Sequence, residues 1–411
     1  MIKHFRFIDW KSYADGTLFV DALTILIGTN SSGKSNALDG IELLSRLANS
    51  IDVSTAIVGD PINSPIRGGA EWAARHPNNR FTLETLVVHD ETTEYLYSIT
   101  IQIDPRIQIA SEKLLRYKYR TRQKLNKYTV TLFSTDEAAD DHPSLIARLY
   151  NEKSGTKKEV RRSQSIISQL FGLTLRSEID TAVKSVVTSL RNIFILDPYP
   201  SKMRQFVPLS ERLQPDGSNI AGVIAALGSK KRDEIEGQLQ FYMTQLPEKD
   251  ITRIWSETVG RFQSDAMIYC EESWRDGDIT TVDARGMSDG TLRFLSILTA
   301  LLTRPKGSLL VIEEIDNGLH PSRANLLLRM LTEVGSDRQV DVIITTHNPA
   351  LLDALTPDFV PFISVAFREE GTGYSKLLPL DEVPRIAKLL AIGPVGTIST
   401  SRKIEEAVSN A

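Results

Sequence analysis

Gly28-Thr29-Asn30-Ser31-Ser32-Gly33-Lys34-Ser35 puts two glycines, a lysine and a hydroxyl at the spacing G-x-x-x-x-G-K-[ST]. Glycines let successive backbone N–H groups turn inward around phosphate oxygens. A helix that starts at the loop adds the partial positive charge of its N-terminus. In such a loop Lys34 reaches the β- and γ-phosphates of a bound nucleotide, and the Ser35 hydroxyl takes a place on Mg²⁺. Two carboxylates, Glu313 and Glu314, end the apolar run Ser308-Leu309-Leu310-Val311-Ile312. The C-terminal end of a parallel strand faces the ligand crevice. There Glu313 can hold a hydrated Mg²⁺, and Glu314 can orient an attacking water. Many P-loop enzymes carry Asp at the first of these positions, where this chain has Glu.

Two further groups belong to the same chemistry. His347 ends Val342-Ile343-Ile344-Thr345-Thr346 and can hydrogen-bond a γ-phosphate from that edge. Ser288-Asp289-Gly290 opens a strongly apolar segment. Alone it reads either as an anion site at a helix N-terminus or as an ordinary cap. His320, beyond Asp316-Asn317-Gly318-Leu319, reads as a loop or interface residue, and no His/Cys/Asp cluster has zinc-like spacing.

The elements that must position these residues are legible in the pattern. Leu23-Thr24-Ile25-Leu26-Ile27 predicts a buried strand, and Ala37 to Leu47 carries apolar residues at helical spacing, so the order is strand, glycine loop, helix. Residues 50–80, rich in Gly, Pro and Asn, predict a long surface excursion. Residues 81–133 alternate like antiparallel strands, 134–160 are polar and turn-like, 163–190 and 230–263 read as helical, and 264–283 read as short strands. From 284 onward helices alternate with apolar strands, the order of a parallel sheet covered by helices. The expected fold is α/β, a P-loop nucleotide-binding fold with a mixed or parallel core sheet, an antiparallel β subdomain and a helical insertion. The expected division is 1–115 with the P-loop and β subdomain, 116–265 as a β/helical insertion and 266–411 as a C-terminal lobe, the first and third forming one head.

The 411 residues are 41% hydrophobic and 24% charged, the composition of an ordinary globular chain. A net charge of -4 and a pI near 6.0 leave any nucleic-acid surface to local clustering. One cysteine, Cys270, excludes an internal disulfide and a thiolate metal site. The N-terminus lacks the apolar core of a signal peptide, and the longest apolar runs fall short of the ~20 residues that cross a bilayer. A reduced, cytoplasmic setting without membrane contact is the expectation.

The order P-loop, Ser-Asp-Gly helix, Glu-Glu strand, Asp-Asn-Gly-Leu-His-Pro, Thr-His resembles the ABC-type ATPase head of SMC, RecF and RecN proteins. Within that class it is similar to the RecF-like AAA-family ATPases of bacterial anti-phage defence systems, such as the ATPase parts of Septu- and OLD-like systems. Asn30 and Ser35-Asn36 match that family's G-x-N-x-x-G-K-S-N form, and Met287-Ser288-Asp289-Gly290-Thr291 looks like a degenerate signature with Asp where L-S-G-G-Q has Gly. Asp316 falls at the D-loop and His347 at the switch histidine. The resemblance spans about 1–50 and 280–355. It implies ATP and Mg²⁺ as ligands. It also implies ATP hydrolysis with Glu314, Lys34 and His347 as catalytic groups, slow or regulated by a partner. Ser288, Asp289, Gly290 and Asp316 would act in trans on a nucleotide held by a second copy, in a homodimer or larger homo-oligomer. A partner effector, nuclease or toxin, is implied by the defence class; a repair or recombination ATPase that clamps DNA directly is the alternative. A transporter subunit is disfavoured by the Glu-Glu-Ile-Asp and Asn-Gly-Leu-His-Pro sequences. The chain departs from SMC proteins in lacking a long heptad segment, and from OLD nucleases in that the stretch after His347 is too short for a TOPRIM domain.

Lys118, Arg120, Arg122 and Lys124 alternate, so on a strand they share one face, with Tyr117, Tyr119 and Thr121 on the other. They read as a patch for a DNA or RNA backbone, as a plain solvated strand face, or as a contact for an acidic partner, and the charged face carries no stacking aromatic.

Overall fold

Leu23–Ile27, every side chain of which is buried, is the strand from which the glycine loop springs, and the helix Lys34–Ala48 follows it. The computed structural model describes residues 1–120, 127–136, 138–139, 141–150, 155–248, 251–275 and 278–409. The chain forms two compact units, one of Met1–Ile193, Phe362–Pro384 and Glu405–Ala411, the other of Phe194–Pro361 and Arg385–Ile404.

In the first unit the strand path runs Leu23–Ile27, Ile363–Arg368, Ser375–Pro379, Tyr13–Phe19, Ile2–Trp10 and Arg80–Asp90. It continues through Thr93–Gln102, Gln108–Tyr119, Lys127–Thr135 and Ser144–Leu149 to Thr156–Arg161. From Tyr13–Phe19 onward, every neighbouring pair is antiparallel. Leu23–Ile27 pairs in parallel with Ile363–Arg368. The helix Lys34–Ala48 buries Ala37, Leu38, Ile41, Leu44 and Leu47, the i, i+3, i+4 stripe expected of a helix laid on a sheet. Phe5, Phe7 and Trp10 lie under it, fully buried. The helix Ser177–Arg191 packs beside it through Ile179, Val183, Val186, Val187 and Leu190.

In the second unit Leu309–Ile312 lies between Ile193–Leu196 and Asp341–Thr345 and runs parallel to the latter, Leu309 opposite Asp341 and Ile312 opposite Ile344. Both members of this parallel pair are buried along their whole length, as parallel strands covered on two faces are. Helices Asp289–Thr303 and Ala324–Arg338 pack against each other. A separate antiparallel sheet combines Val207–Pro208, Asp265–Arg275, Ile251–Val259 and Asp278–Asp283.

The mixed α/β architecture with parallel and antiparallel pairing is the expected class. Two local expectations change. Residues 134–160 are not merely turn-like. Ser144–Leu149 and Thr156–Arg161 form a hairpin, with Leu145, Ala147, Leu149 and Val160 buried and Lys157, Glu159 and Arg161 outside. The lysines that made the segment look like a loop are what a last strand carries to discourage further pairing. Helix in 230–263 stops at Met243, and Ile251–Val259 is a strand whose Ile, Trp, Thr and Val favour a pleated surface over a helix.

Candidate functional site

In the glycine loop Gly33 has φ +116°, where a side chain is strained, and a Cβ there would lie 2.5 Å from Ser375 Oγ; at Gly28, φ +144°, it would lie 2.2 Å from the Ala366 carbonyl. Glycine is therefore required at both ends of the loop by the strands behind it. Ser31 is also left-handed, φ +65°. Arg368 holds it by donating Nε–H to the Ser31 carbonyl at 2.9 Å and Nη1–H to the Gly373 carbonyl at 2.7 Å. The Lys34 ammonium donates to the carbonyls of Gly28 (2.6 Å) and Thr29 (3.0 Å), and Thr29, Asn30 and Ser31 are exposed. Ser32 Oγ is buried inside the loop without a hydrogen-bond partner among the described residues. A narrow cradle with a cationic lysine and an orphaned hydroxyl fits a polyphosphate. Asn36 is tied to the chain behind it: its Nδ2 donates to Ser12 Oγ at 2.7 Å and its carbonyl accepts Trp10 Nε1–H at 2.7 Å. Tyr13 donates its hydroxyl to the Gly33 carbonyl at 2.9 Å, and burial pushes its pKa up, so it stays a neutral donor.

Beside this loop, within the same unit, is a cleft of about 430 Å³ bordered by Ser12, Asn36, Arg67, Trp72, Arg368 and Tyr374. Trp72 is 58% exposed. Arg75 lies over the Tyr374 ring at 4.5 Å and holds Asp9 through Nε (2.9 Å) and Nη2 (2.6 Å). Lys11 forms an ion pair with Asp39 deep in the wall, where burial lowers the Lys11 pKa and Asp39 opposes that shift. Apart from Asn36, none of these residues was flagged by motif: Trp72 and Tyr374 lie in separate parts of the chain, and only the fold brings them to one cleft.

In the second unit the carboxylates sit on a turn beyond Leu309–Ile312. Glu314 is exposed and left-handed, φ +46°, a conformation uncommon outside glycine and asparagine. Its N–H donates to Thr345 Oγ1 at 2.8 Å, and Ile315 N–H donates to the Thr345 carbonyl at 3.1 Å. Thr346 Oγ1 donates to Asp316 Oδ1 at 2.5 Å. The Glu313–Asp316 turn is thus bound to the Thr345-Thr346 end of the parallel strand that leads to His347, which is exposed. Glu313 is half-buried. Its carboxylate is a hard oxygen donor of the kind Mg²⁺ takes alongside waters, and in the first unit the Ser35 hydroxyl is another. Asn348 caps the next helix by accepting Ala350 N–H at 2.9 Å. His320 accepts Ser322 N–H at 3.3 Å and shares a 2.8 Å bond with Ser322 Oγ, which fits its reading as a loop residue.

Ser288 caps the helix Asp289–Thr303: its Oγ accepts Thr291 N–H at 3.1 Å. Arg204 reaches over this turn, donating Nη2–H to the Met287 carbonyl (2.8 Å) and to Asp289 Oδ1 (2.7 Å). The Asp289 carboxylate is thus balanced by a cation that sequence reasoning did not single out. The structure brings Gly290 against the 316–318 turn: a Cβ at 290 would be 2.9 Å from the Gly318 carbonyl and 2.9 Å from Arg323 Nη1.

The family model described as "AAA domain, putative AbiEii toxin, Type IV TA system" matches residues 23–353, from the strand before the glycine loop to the helix after His347. The chain belongs to this AAA family. No curated protein matches it in sequence. Among solved structures the AAA chain is similar to an SMC head bound to the C-terminal winged-helix domain of ScpA, with 14% identity, 92% of this chain and 96% of that one covered, and a TM-score of 0.50. An SMC head with an extended coiled coil from Pyrococcus furiosus, bound to the C-terminal domain of ScpA, has 14% identity, 95% and 99% coverage and a TM-score of 0.48. One from Thermotoga maritima has 14% identity, 92% and 98% coverage and a TM-score of 0.43. The fold is that of an SMC/RecF-like P-loop ATPase head.

In this AAA head the basic segment lies at the end of the Gln108–Tyr119 and Lys127–Thr135 hairpin. Lys118 and Arg120 are exposed; Arg122 and Lys124 lie outside the described residues. The expectation that the charged face lacks an aromatic is corrected by the cross-strand register. Tyr128 pairs with Lys118, so the two share a face. Tyr128 is 47% exposed and hydrogen-bonded by Arg120, whose guanidinium lies over its ring at 5.0 Å.

Among the described residues no helix is long and apolar enough to cross a membrane.

Proposed function

We propose that this AAA head binds Mg-ATP on Gly28–Asn36, hydrolyses it with Glu314, and uses the cycle to join and release two copies head to tail, thereby regulating a partner effector, a nuclease or toxin, in anti-phage defence. The observation that carries the reading is the Glu313–Asp316 turn, in which Glu314 is an exposed carboxylate held left-handed by Thr345 and Asp316 accepts the Thr346 hydroxyl just before His347.

Each residue then has a task. Lys34 leaves the loop carbonyls for the β- and γ-phosphates, and the 28–36 amides surround them. Ser35 and Glu313 hold the metal, which supplies charge neutralisation at the phosphates. Glu314 orients the attacking water, and His347 bonds the terminal phosphate. Ser288, Asp289, Gly290 and Asp316 of one copy complete the site of the other. The cleft at Trp72 and Tyr374 receives the base. The family description supports a toxin–antitoxin or defence setting. The SMC head bound to ScpA supports a protein partner on a head of this fold.

The test is the mass of the purified protein with and without Mg-ATP. Wild type and Glu314→Gln should both dimerise, Glu314→Gln should hold the dimer, and Ser288→Arg and chelation of Mg²⁺ should abolish it. If Lys34→Ala binds and hydrolyses ATP like wild type, the reading is wrong. A standing dimer whose mass ATP does not change would remove the release step from it.

The pairing of exposed Tyr128 with Lys118 and Arg120 favours a second reading, in which the head clamps DNA directly as a repair or recombination ATPase. A stacking ring between phosphate-binding cations suits nucleic acid. ATP-dependent retardation of DNA by the purified protein, lost in Tyr128→Ala, is its test.

A further inference from the structure

At the Ser288–Gly290 turn the buried guanidinium of Arg323 is matched on one side only. It arrives on the short turn Pro321–Arg323, just after His320, and its side chain is 7% exposed. Its Nε and Nη2 lie 3.1 and 3.0 Å from Glu248 Oε1, and Nη2 also lies 3.5 Å from Thr291 Oγ1. Nη1 is buried and has no hydrogen-bond partner among the described residues. A buried charged donor left unmatched is costly, so its persistence points to a partner supplied at another stage. The direction of Nη1 is set by Gly290, the second residue of the 15-residue helix Asp289–Thr303: a Cβ at 290 would be 2.9 Å from it. Nothing but a missing side chain separates the guanidinium from the first-turn backbone. The N-terminal charge of this helix and the guanidinium therefore add at one place. Arg204 does not serve there, since it is turned outward onto Asp289 and the Met287 carbonyl.

We propose that Arg323 is a positioning residue that backs the Gly290 turn with positive charge, so that the turn seats the terminal phosphate of a nucleoside triphosphate held by the P-loop of a second copy. The inference rests on the head-to-tail reading above and adds a residue to it. Glu248 fixes the guanidinium, so its charge stays behind the turn that meets the phosphoryl oxygens. Because ADP lacks the terminal phosphate, Arg323 distinguishes the triphosphate from the diphosphate without touching the base or the P-loop.

The experiment is complementation between inactive proteins. Arg323→Gln should bind ATP on its own P-loop within about twofold of wild type, yet hydrolyse it at least tenfold more slowly and form no ATP-dependent dimer. Lys34→Ala should be inactive for lack of nucleotide. An equimolar mixture should regain about a quarter of wild-type turnover, because half of randomly paired dimers hold one site built from two intact halves. Gly290→Ala, whose Cβ meets both Nη1 and the Gly318 carbonyl, should complement Lys34→Ala in the same way. Recovery also shows that the variant is folded, which a structural defect would not allow. If Ser288→Arg complements Lys34→Ala but neither Arg323→Gln nor Gly290→Ala does, Arg323 serves only its own chain and the proposal fails while the head-to-tail reading stands. If no pair recovers, both fail. Full hydrolysis by Arg323→Gln alone would also overturn the proposal.

Discussion

Thr345 Oγ1 accepts the backbone N–H of Glu314, 31 positions earlier, at 2.8 Å. The threonine is 1% exposed, and its carbonyl takes the next N–H, of Ile315, so one residue of the neighbouring parallel strand fixes two successive amides of the Glu313–Asp316 turn. The left-handed backbone at Glu314 is uncommon for a non-glycine residue, and it persists because these two bonds over-determine it.

Thr345→Val keeps the shape and removes the acceptor. The Glu314 amide then loses its bond, at a cost of about 1–3 kcal/mol in stability, and the carboxylate is free to leave its position. Hydrolysis should fall roughly ten- to a hundredfold while ATP affinity stays within about threefold, and Thr345→Ser should recover most of the loss. A drop in affinity equal to the drop in rate would contradict this role.

Arg368 acts on the P-loop from behind. Arg368→Met removes the donor to the Ser31 carbonyl and keeps most of the side-chain length. The left-handed Ser31 then loses its anchor, and nucleotide affinity should fall about tenfold, the equivalent of roughly 1.4 kcal/mol. Binding of a fluorescent ATP analogue measures it, and an unchanged affinity would show the bond to be incidental.

At Trp72 the expected effect is on the base rather than the phosphates. Stacking on an aromatic ring is worth about 1–3 kcal/mol per base. Trp72→Ala should weaken ATP about tenfold and leave inorganic triphosphate, used as a competitor, unaffected. Equal losses for both would place the base elsewhere.

Glu112 supplies a pH dependence. It is fully buried, accepts the N–H groups of Ile166 (2.6 Å) and Ile167 (2.7 Å), and takes the Tyr97 hydroxyl at 3.0 Å. Burial raises its pKa to about 7, against the opposing pull of those three bonds. A carboxyl whose folded pKa lies above its unfolded value binds more protons in the native state. Its contribution is therefore fully present below the unfolded value and is lost as pH rises towards about 7. Denaturant titrations should show wild-type stability falling by up to about 3 kcal/mol from this group across that window. Glu112→Gln should be less stable at pH 5, because an amide cannot accept all three bonds, but should lose this slope. A slope unchanged in the variant would assign it to other groups.

The sequence reveals what is local and apolar. Leu23–Ile27 was readable because five consecutive residues are buried on both faces of a sheet, and Lys34–Ala48 because its apolar stripe has a single period. Glu313, Glu314 and His347 could be singled out as candidates because each lies just beyond such a strand. Three other features were not. The hairpin of Ser144–Leu149 and Thr156–Arg161 alternates, but its outer residues are charged, so polarity masked the period. Tyr128 joins Lys118 only through a cross-strand register that no one-dimensional pattern contains. Arg323, in a polar stretch after His320-Pro321, has the composition of a surface turn; its burial depends on Glu248 and Gly290, which belong to distant segments.

The strand beside Leu23–Ile27 is Ile363–Arg368, and the Arg368 bond to Ser31 spans 337 positions. The glycine loop is thus braced by a segment made 337 positions after it. Until that segment has emerged, the nascent chain carries the complete G-x-x-x-x-G-K-S motif without its support. Long-range pairings of this kind close late. A nascent chain that has not reached residue 363 therefore carries an unbraced loop, and the brace closes only when that strand is in place. A fragment that stops before residue 363 keeps the motif but leaves the left-handed Ser31 without its Arg368 bond.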